Sequence, residues 1–542
     1  MNNGKICVSV CAEKAAEFLE KVERATKIAD VVELRFDCLE EREFDSAIEK
    51  VSKLKNTKLF LATFRPKSDD ALFACPLVNT ASDVLKERKR QAVKYRENGW
   101  IKIAQLKNVD FIDFEGDIVN EFFIDFSSTP VVFSKEADEK LKKRKIIVSE
   151  HNFDGVPKNL DSLYEGMWID ESEGLKIEVI KIAAQAKDVT DSLALMKLLE
   201  RAKSDNRELI PIAMGESGVW TRILGLSRGA FMTFAALDEE SATAPGQLTA
   251  REMLDVYRVK ELDETSEIYG LVAESVAYSV SPQMHNAAFK FHKMNAVYVP
   301  FAVKNLEEFI RRMVNPKTRE IDWDFRGFSI TIPHKIEIMK YLDFVDETAR
   351  KIGAVNTVKI EGDKLLGFNT DADGFIEPLK NAYGDLNGAR VAVFGAGGAA
   401  RACVYALQRE NANVTVFARN SEKAKSLVVD FGVEIQDLQS QIENLKNFDA
   451  IVNATPLGMK KGGLENETPV TAEQLKGVGL VYDLVYNPFE TRLMREASSV
   501  FAPTIGGLAM LVAQAAAQQK IWTGKEAPVK EMSAAALGKL QS

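Results

Sequence analysis

A lysine stands in the middle of the apolar run EVIKIAAQ, residues 178–185. The run is rich in Val and Ile and reads as a buried strand. An unpaired ammonium is expensive there, so Lys181 must snorkel, be paired or do chemistry. Burial disfavours the charged amine, and a free amine attacks a ketone to form an imine. The iminium is an electron sink that makes the neighbouring C–H acidic. His151, at the end of RKIIVSEH, can move protons, oriented by Glu33. Arg35 and Arg222 can hold a carboxylate and hydroxyls. Arg65, Thr243 and Gln247 follow further strand-like runs. Together these residues predict Schiff-base chemistry on a polar ketone, by an aldolase or a dehydratase.

A second set lies beyond residue 270. YSVSPQMHN places Ser279 and Ser281 two apart, on one side of an extended stretch. SITIPHK carries Thr331 and Lys335, GAVNT carries Asn356, and GFNTD carries Asp371. This is a hydroxyl-rich pocket fit for a polyol acid, in which Lys335 and Asp371 can pair as proton donor and acceptor for carbonyl reduction. RVAVFGAGGAAR, residues 390–401, is a strand followed by Gly395, Ala396, Gly397, Gly398 and Ala399 at the opening of a helix. Such a turn lets backbone N–H groups approach a pyrophosphate. After the next strand, NVTVFAR, stand Arg419, Asn420 and Lys423 instead of an acid for ribose hydroxyls. Two cations there suit a 2′-phosphate, so NADP is the expected cofactor.

The elements that must position these residues can be read in order. KICVSV (5–10), VVELRF (31–36), KLFLATF (58–64), VDFIDFE (109–115), RKIIVSEH (144–151), VIKIAA (179–184), LIPIAMG (209–215) and FMTFAA (231–236) alternate with amphipathic stretches. Eight strands within roughly 250 residues predict an N-terminal (β/α)8 barrel, with its chemistry at the C-terminal strand ends. A doubly wound open sheet competes, but no early Gly-rich phosphate turn is present. A new strand, EIYGLVA (267–273), opens the second half, which reads as a two-domain α/β unit with a Rossmann-type NADP domain. The boundary is expected near residue 260, without a Gly/Ser-rich linker. AIVNAT (450–455) and VGLVYDLVY (478–486) supply further parallel-type strands.

Composition narrows the partners. The 542 residues are too many for one core. A net charge of -9 argues against nucleic acid or an acidic membrane surface. No apolar run is long enough to span a bilayer, and the first residues do not resemble a signal peptide. Four histidines make a zinc site built on several of them improbable, so no metal is expected. Cys7, Cys11, Cys38, Cys75 and Cys403 show no CxxC spacing, and their odd number suits a reducing compartment. The expected setting is the cytoplasm, or the plastid stroma where a transit peptide has been removed. Small-molecule substrates are the expected partners, with the oligomeric state open.

VELRFD, ATFRP, SEHNF, VIKIA, TRILG and TAPGQ occur in the order found in type I 3-dehydroquinate dehydratases, and the first half resembles that family over about residues 5–250. The resemblance implies that Lys181 forms the imine, that His151 is the general acid and base, and that Glu33, Arg35, Arg65, Arg222, Thr243 and Gln247 bind substrate. Thr243 stands where the family usually has Ser. RPKSDDALF replaces the family's Glu-Gly-Gly stretch, with Asp69 or Asp70 as the nearest acid and no role assigned to either. The second half resembles shikimate dehydrogenase over roughly 267–540. That resemblance implies a Lys335–Asp371 catalytic dyad and substrate binding by Ser279, Ser281, Thr331, Asn356, Tyr486 and Gln514. It also implies a cofactor site lined by Gly395, Gly397, Gly398, Arg419, Asn453, Thr455, Met459 and Gly506. The family's Asn-Arg-Thr appears here as Ala418-Arg419-Asn420.

The expected domains are a dehydratase barrel at 1–255, a substrate domain at 262–380, an NADP domain at 381–505 and C-terminal helices at 506–542 returning to the substrate domain. The expected function is dehydration of 3-dehydroquinate followed by NADPH-dependent reduction of 3-dehydroshikimate to shikimate. One rival is a reductase half preferring quinate, which Ser279 and Thr331 leave little room for. The other is a non-catalytic sensor, which would have no reason to keep Lys181, His151, Lys335 and Asp371.

Overall fold

The computed structural model describes residues 2–55, 58–65, 98–115, 144–168, 176–419, 421–437, 445–460 and 463–541, with the backbone alone at 421–423 and 426. The chain forms two compact units that meet at Glu264 and Thr265.

Among the described residues of the first unit, eight strands form one parallel sheet: β1 (Lys5–Val10), β2 (Val31–Arg35), β3 (Leu59–Thr63), β4 (Phe111–Glu115), β5 (Lys145–Asn152), β6 (Ile177–Gln185), β7 (Glu208–Met214) and β8 (Met232–Ala235). Each pairs with the next in sequence through β7, and β8 pairs with β1. Between β7 and β8 the Phe231 N–H donates to the Leu209 carbonyl at 3.0 Å, so the sheet curls into a nearly closed barrel. Side chains alternate across a strand, so residues two apart share a face. Cys7, Val31, Leu61, Phe111, Ile147, Val179 and Ile210 pack together inside as an apolar floor. Two residues further along those strands come Ser9, Glu33, Thr63, Asp113, Ser149 and Lys181, all buried. The same inward rows then reach Arg35, Arg65, Glu115 and His151 at the strand ends. Outward residues such as Val8, Val32 and Phe60 are buried on the other face, where the helix Ala15–Ala25 offers Phe18 and Val22.

The cysteines depart from the sequence expectation. Cys11 and Cys38 form a disulfide with Cα atoms 5.5 Å apart. Pairing of β1 with β2 sets Val10 opposite Leu34, which brings the segments after both strands side by side. Cys7 and Cys403 are buried thiols; Cys75 lies outside the described residues.

Among its described residues, the second unit holds two sheets. In one, β9 (Glu267–Ala273), β10 (Ala296–Ala302) and β11 (Asp324–Ile330) run parallel, with β12 (Phe344–Val345), β13 (Thr357–Glu361) and β14 (Lys364–Phe368) beyond β11. The other is wholly parallel and comprises β15 (Arg390–Phe394), β16 (Asn413–Ala418), β17 (Glu434–Asp437), β18 (Ala450–Asn453), β19 (Leu480–Asp483) and β20 (Thr504–Ile505), in the order β17-β16-β15-β18-β19-β20. The order reverses between β15 and β18, the switch point at which such sheets bind ligands. The helix Gly507–Thr523 packs along the helix Asp371–Tyr383, and the helix Val529–Gln541 packs on Ser281–Phe291.

Candidate active sites

Alternation on β2, β5 and β6 brings Glu33, Arg35, His151 and Lys181 to the wall of one cavity, with Arg65 just past β3, Arg222 from the short helix Val219–Leu224 after β7, and Thr243 and Gln247 from the segment after β8. All eight are residues that the sequence singled out. Lys181 is 3% exposed. It is not isolated: its Nζ donates to Asp113 Oδ2 at 3.1 Å and sits 4.2 Å from the centre of the Phe234 ring. Arg65 Nη2 lies 3.0 Å from His151 Nε2, and Glu115 Oε1 lies 3.4 Å from both Arg65 Nε and His151 Nδ1. Glu33 accepts from the Ser9 hydroxyl and, at 2.8 Å, from the Thr63 hydroxyl. Arg35 makes a two-pronged pair with Asp37, at 3.0 and 2.6 Å. Thr243 donates through its N–H and hydroxyl to Gln247 Oε1.

The charges set the protonation states. Burial works to raise the Glu33 carboxyl, but the charges of Lys181, Arg35 and Arg65 outweigh it and bring it down to about 2. His151 is held well below its ordinary value, by burial first and then by Arg65 and Lys181, so its imidazole is neutral at neutral pH. Arg222 is brought down to about 10 by burial and stays cationic. Its Nε is buried without a partner among the described residues. A buried cation with an unused donor is a ready seat for an anion.

Asp113 and Glu115 were missed in the sequence. The signal was present: within FIDFE, residues 111–115, acids at the alternate positions 113 and 115 share the face that carries Phe111 inward. Asp69 and Asp70 lie outside the described residues.

In the second unit, Lys335 Nζ donates to Asp371 Oδ2 at 2.5 Å. Asp371 opens its helix, and Asn356 Nδ2 donates to its other oxygen at 2.8 Å. The Asn356 amide also reaches Thr370 Oγ1 at 2.9 Å and Gln514 Oε1 at 3.3 Å, so β13 and two helices converge on one polar cluster. The Ser279 hydroxyl accepts from the Ser281 N–H at 3.2 Å and hydrogen-bonds the Tyr486 hydroxyl, whose titration burial pushes up. The Thr331 N–H donates to the Val272 carbonyl, which sets its hydroxyl at the end of β11.

The cofactor candidates stand at the C-terminal ends of the second parallel sheet. Gly395, Ala396 and Gly397 link β15 to the helix Gly398–Arg409. Gly395 takes φ +120°, and a Cβ there would meet the Ala454 carbonyl oxygen at 2.8 Å. A Cβ on Gly398 would press on Lys335 Cδ at 3.2 Å, so the helix N-terminus and the dyad share one crevice. Ala399 lies in the first turn of that helix. Arg419 is exposed just past β16, while Asn420 and the Lys423 side chain lie outside the described residues. Asn453 is fully buried and spends its amide on the Leu457 carbonyl and on Asp483, and its carbonyl on Thr455. It therefore shapes the loop carrying Thr455 and Met459 from below. Burial raises its partner Asp483 to about 6. Gly506 precedes the helix Gly507–Thr523 as its N-cap. The open glycine turn, the helix N-terminus and the neighbouring cation fit a dinucleotide.

Comparison with known proteins covers both halves. Four family models match: "Type I 3-dehydroquinase" over residues 6–264, "Shikimate dehydrogenase substrate binding domain" over 271–358, "Shikimate / quinate 5-dehydrogenase" over 377–461 and "Shikimate 5'-dehydrogenase C-terminal domain" over 507–537. The chain is 33% identical to the chloroplastic bifunctional 3-dehydroquinate dehydratase/shikimate dehydrogenase of Arabidopsis thaliana, over 97% of this chain and 83% of that one. It is 41% identical to the shikimate dehydrogenase (NADP(+)) of Methanocaldococcus jannaschii, over 52% of this chain and 99% of that one. Among solved structures, the shikimate 5-dehydrogenase of Thermus thermophilus in complex with NADP(H) and shikimate is 33% identical, with a TM-score of 0.44, over 50% of this chain and 99% of that one.

Proposed function

The chain belongs to the family of bifunctional 3-dehydroquinate dehydratases/shikimate dehydrogenases, and from that premise we propose how each half works and with which residues. It is a lyase and an NADP-dependent oxidoreductase in one chain, converting 3-dehydroquinate to 3-dehydroshikimate and then to shikimate.

In the first half, Lys181 attacks the substrate ketone, water leaves, and the iminium keeps the positive charge at Nζ. His151 takes the proton from the carbon beside the iminium carbon and returns it to the hydroxyl that leaves. Glu115, at 3.4 Å from Nδ1, orients that ring. Arg222 binds the carboxylate, while Glu33, Arg35, Arg65, Thr243 and Gln247 hold the ring hydroxyls. Because the imidazole is neutral, it is a base without first shedding a proton. The acid limb of the dehydratase kcat–pH profile should therefore fall below pH 6.5, the side to which His151 is shifted. A limb above that value would contradict the assignment.

In the second half, Ser279, Ser281, Thr331, Asn356, Tyr486 and Gln514 bind 3-dehydroshikimate, and Lys335, steadied by Asp371, gives a proton to the carbonyl oxygen. The nicotinamide supplies the hydride when bound. Gly395, Ala396, Gly397, Gly398 and Ala399 receive the pyrophosphate, and Thr455, Met459 and Gly506 edge the crevice over Asn453. Arg419, with Asn420 and Lys423, receives the 2′-phosphate. Arg419→Ala should weaken NADPH by about 1.5–3 kcal/mol, the worth of a charge-assisted contact, and leave NADH nearly unchanged. Equal losses measured by fluorescence titration would remove Arg419 from the phosphate site. The domain reading is then a barrel at 1–255, with the residues to 264 completing the first unit, a substrate domain that starts at 265 rather than 262 and runs to 380, an NADP domain at 381–505 and closing helices at 506–542.

One observation supports both halves most directly: a buried amine and a neutral imidazole open on one cavity, and a second lysine–aspartate pair abuts a dinucleotide turn. The test is a single incubation of the chain with 3-dehydroquinate and NADPH. One shikimate should appear per NADPH oxidised. Consumption of NADPH only when 3-dehydroshikimate is supplied would defeat the dehydratase half.

A further inference from the structure

Lys181 has a partner that the chemistry above does not use. Asp113 is 2% exposed. One of its oxygens accepts from Lys181 Nζ at 3.1 Å, and the other, Oδ1, is buried with no hydrogen-bond partner among the described residues. Leaving a buried carboxylate oxygen unmatched is costly, so a position that keeps one is held for a purpose. The neighbouring acids are committed elsewhere. Glu33 is held by the Ser9 and Thr63 hydroxyls, and Glu115 lies against Arg65 and His151. Among the described residues, Asp113 is the acid within ion-pair reach of Nζ. On another side the Phe234 ring lies 4.2 Å away, a second feature that favours a cation at that atom.

We propose that Asp113 is the counter-ion of the iminium on Lys181, keeping that nitrogen protonated through the carbon–hydrogen bond cleavage. This rests on the imine assignment of Lys181. The balance of the step shows the need. An ammonium and a ketone give an iminium and one water, with one positive charge at Nζ before and after. Between them the nitrogen is neutral, while it attacks the carbonyl carbon and the carbonyl oxygen collects protons to leave as water. A carboxylate fixed against Nζ meets the same charge at both ends, so the site need not reorganise. A C=N nitrogen that lost its proton would be a poor electron sink, and the adjacent C–H would stop being acidic. Borohydride reports the same property, because it reduces the protonated iminium.

The experiment uses the full chain. With 3-dehydroquinate and borohydride, the parent should lose dehydratase activity as an adduct forms on Lys181. In Asp113→Asn, adduct formation and kcat should both fall by at least tenfold, with KM within about threefold, since Asp113 is not itself one of the ring-binding residues and Arg65, 3.8 Å from it, keeps its contacts with Glu115 and His151. In Asp113→Ala, sodium formate should restore part of the trapping rate and of kcat, while chloride at equal ionic strength should not, because only a carboxylate can stand in at Nζ. Parent-like trapping in Asp113→Asn, or an Asp113→Ala chain that formate fails to rescue, overturns the counter-ion. If the parent itself gives no adduct on Lys181, it is the imine assignment that fails.

Discussion

Lys181→Met should abolish dehydration of 3-dehydroquinate while reduction of 3-dehydroshikimate continues. On the proposed mechanism the amine is the nucleophile, and no other described side chain on that cavity can form an imine. The proposed reduction uses Lys335 and Asp371, in the other unit. From sequence alone the substitution should cost the fold nothing, because it removes an expensive buried amine. The structure reverses that expectation. Asp113 is buried against Nζ at 3.1 Å, and removing one partner of a buried pair typically costs about 3–5 kcal/mol. Arg65, at 3.8 Å from the same oxygen, recovers some of this. The variant should therefore melt earlier than the parent, and circular dichroism below that temperature should show an intact chain. Borohydride with substrate should label Lys181 in the parent and leave residue 181 unlabelled in the variant. Retained dehydratase turnover, or an adduct on another lysine, would make Lys181 structural.

Lys335→Ala should lower shikimate oxidation by at least ~10²-fold, the usual worth of a positioned acid or base. The pocket should survive, because Asn356 still holds the second oxygen of Asp371 at 2.8 Å. NADP binding should be nearly unchanged: the Lys335 side chain flanks the glycine turn beside Gly398, and a shorter side chain there leaves more room. Cofactor affinity read by fluorescence therefore separates lost chemistry from lost binding. A variant with near-parent turnover would remove Lys335 from the reaction, and one that also lost NADP would make it a structural strut.

The strands and the chemistry-bearing residues were legible in the sequence, for a local reason. A barrel strand must be apolar on both faces near its start and polar inward near its end. Glu33, Arg35, Arg65, His151 and Lys181 therefore stand out against Val, Ile and Leu without any knowledge of neighbours. EIYGLVA was read as residues 267–273 and is β9 over those residues. The glycine turn was equally plain, because the approach of backbone to phosphate is a property of consecutive residues. What residues do to one another across the fold was not legible. Asp113 and Glu115 looked like ordinary strand acids until the curl of the sheet set β4 between Arg65, just past β3, and His151 on β5. Asn453 read as a cofactor contact, but the pairing of β18 with β19 brings Asp483 to its amide and buries it. Cys11 and Cys38, 27 residues apart, became partners only through the register of β1 on β2. Side-chain type and alternation are written along one strand, so the sequence alone determined which residues would face the chemistry. Charge pairing depends on which strands become neighbours and in what register, so the tertiary structure alone decided that Lys181 is paired, that His151 is neutral and that Asp113 stands against the Lys181 nitrogen.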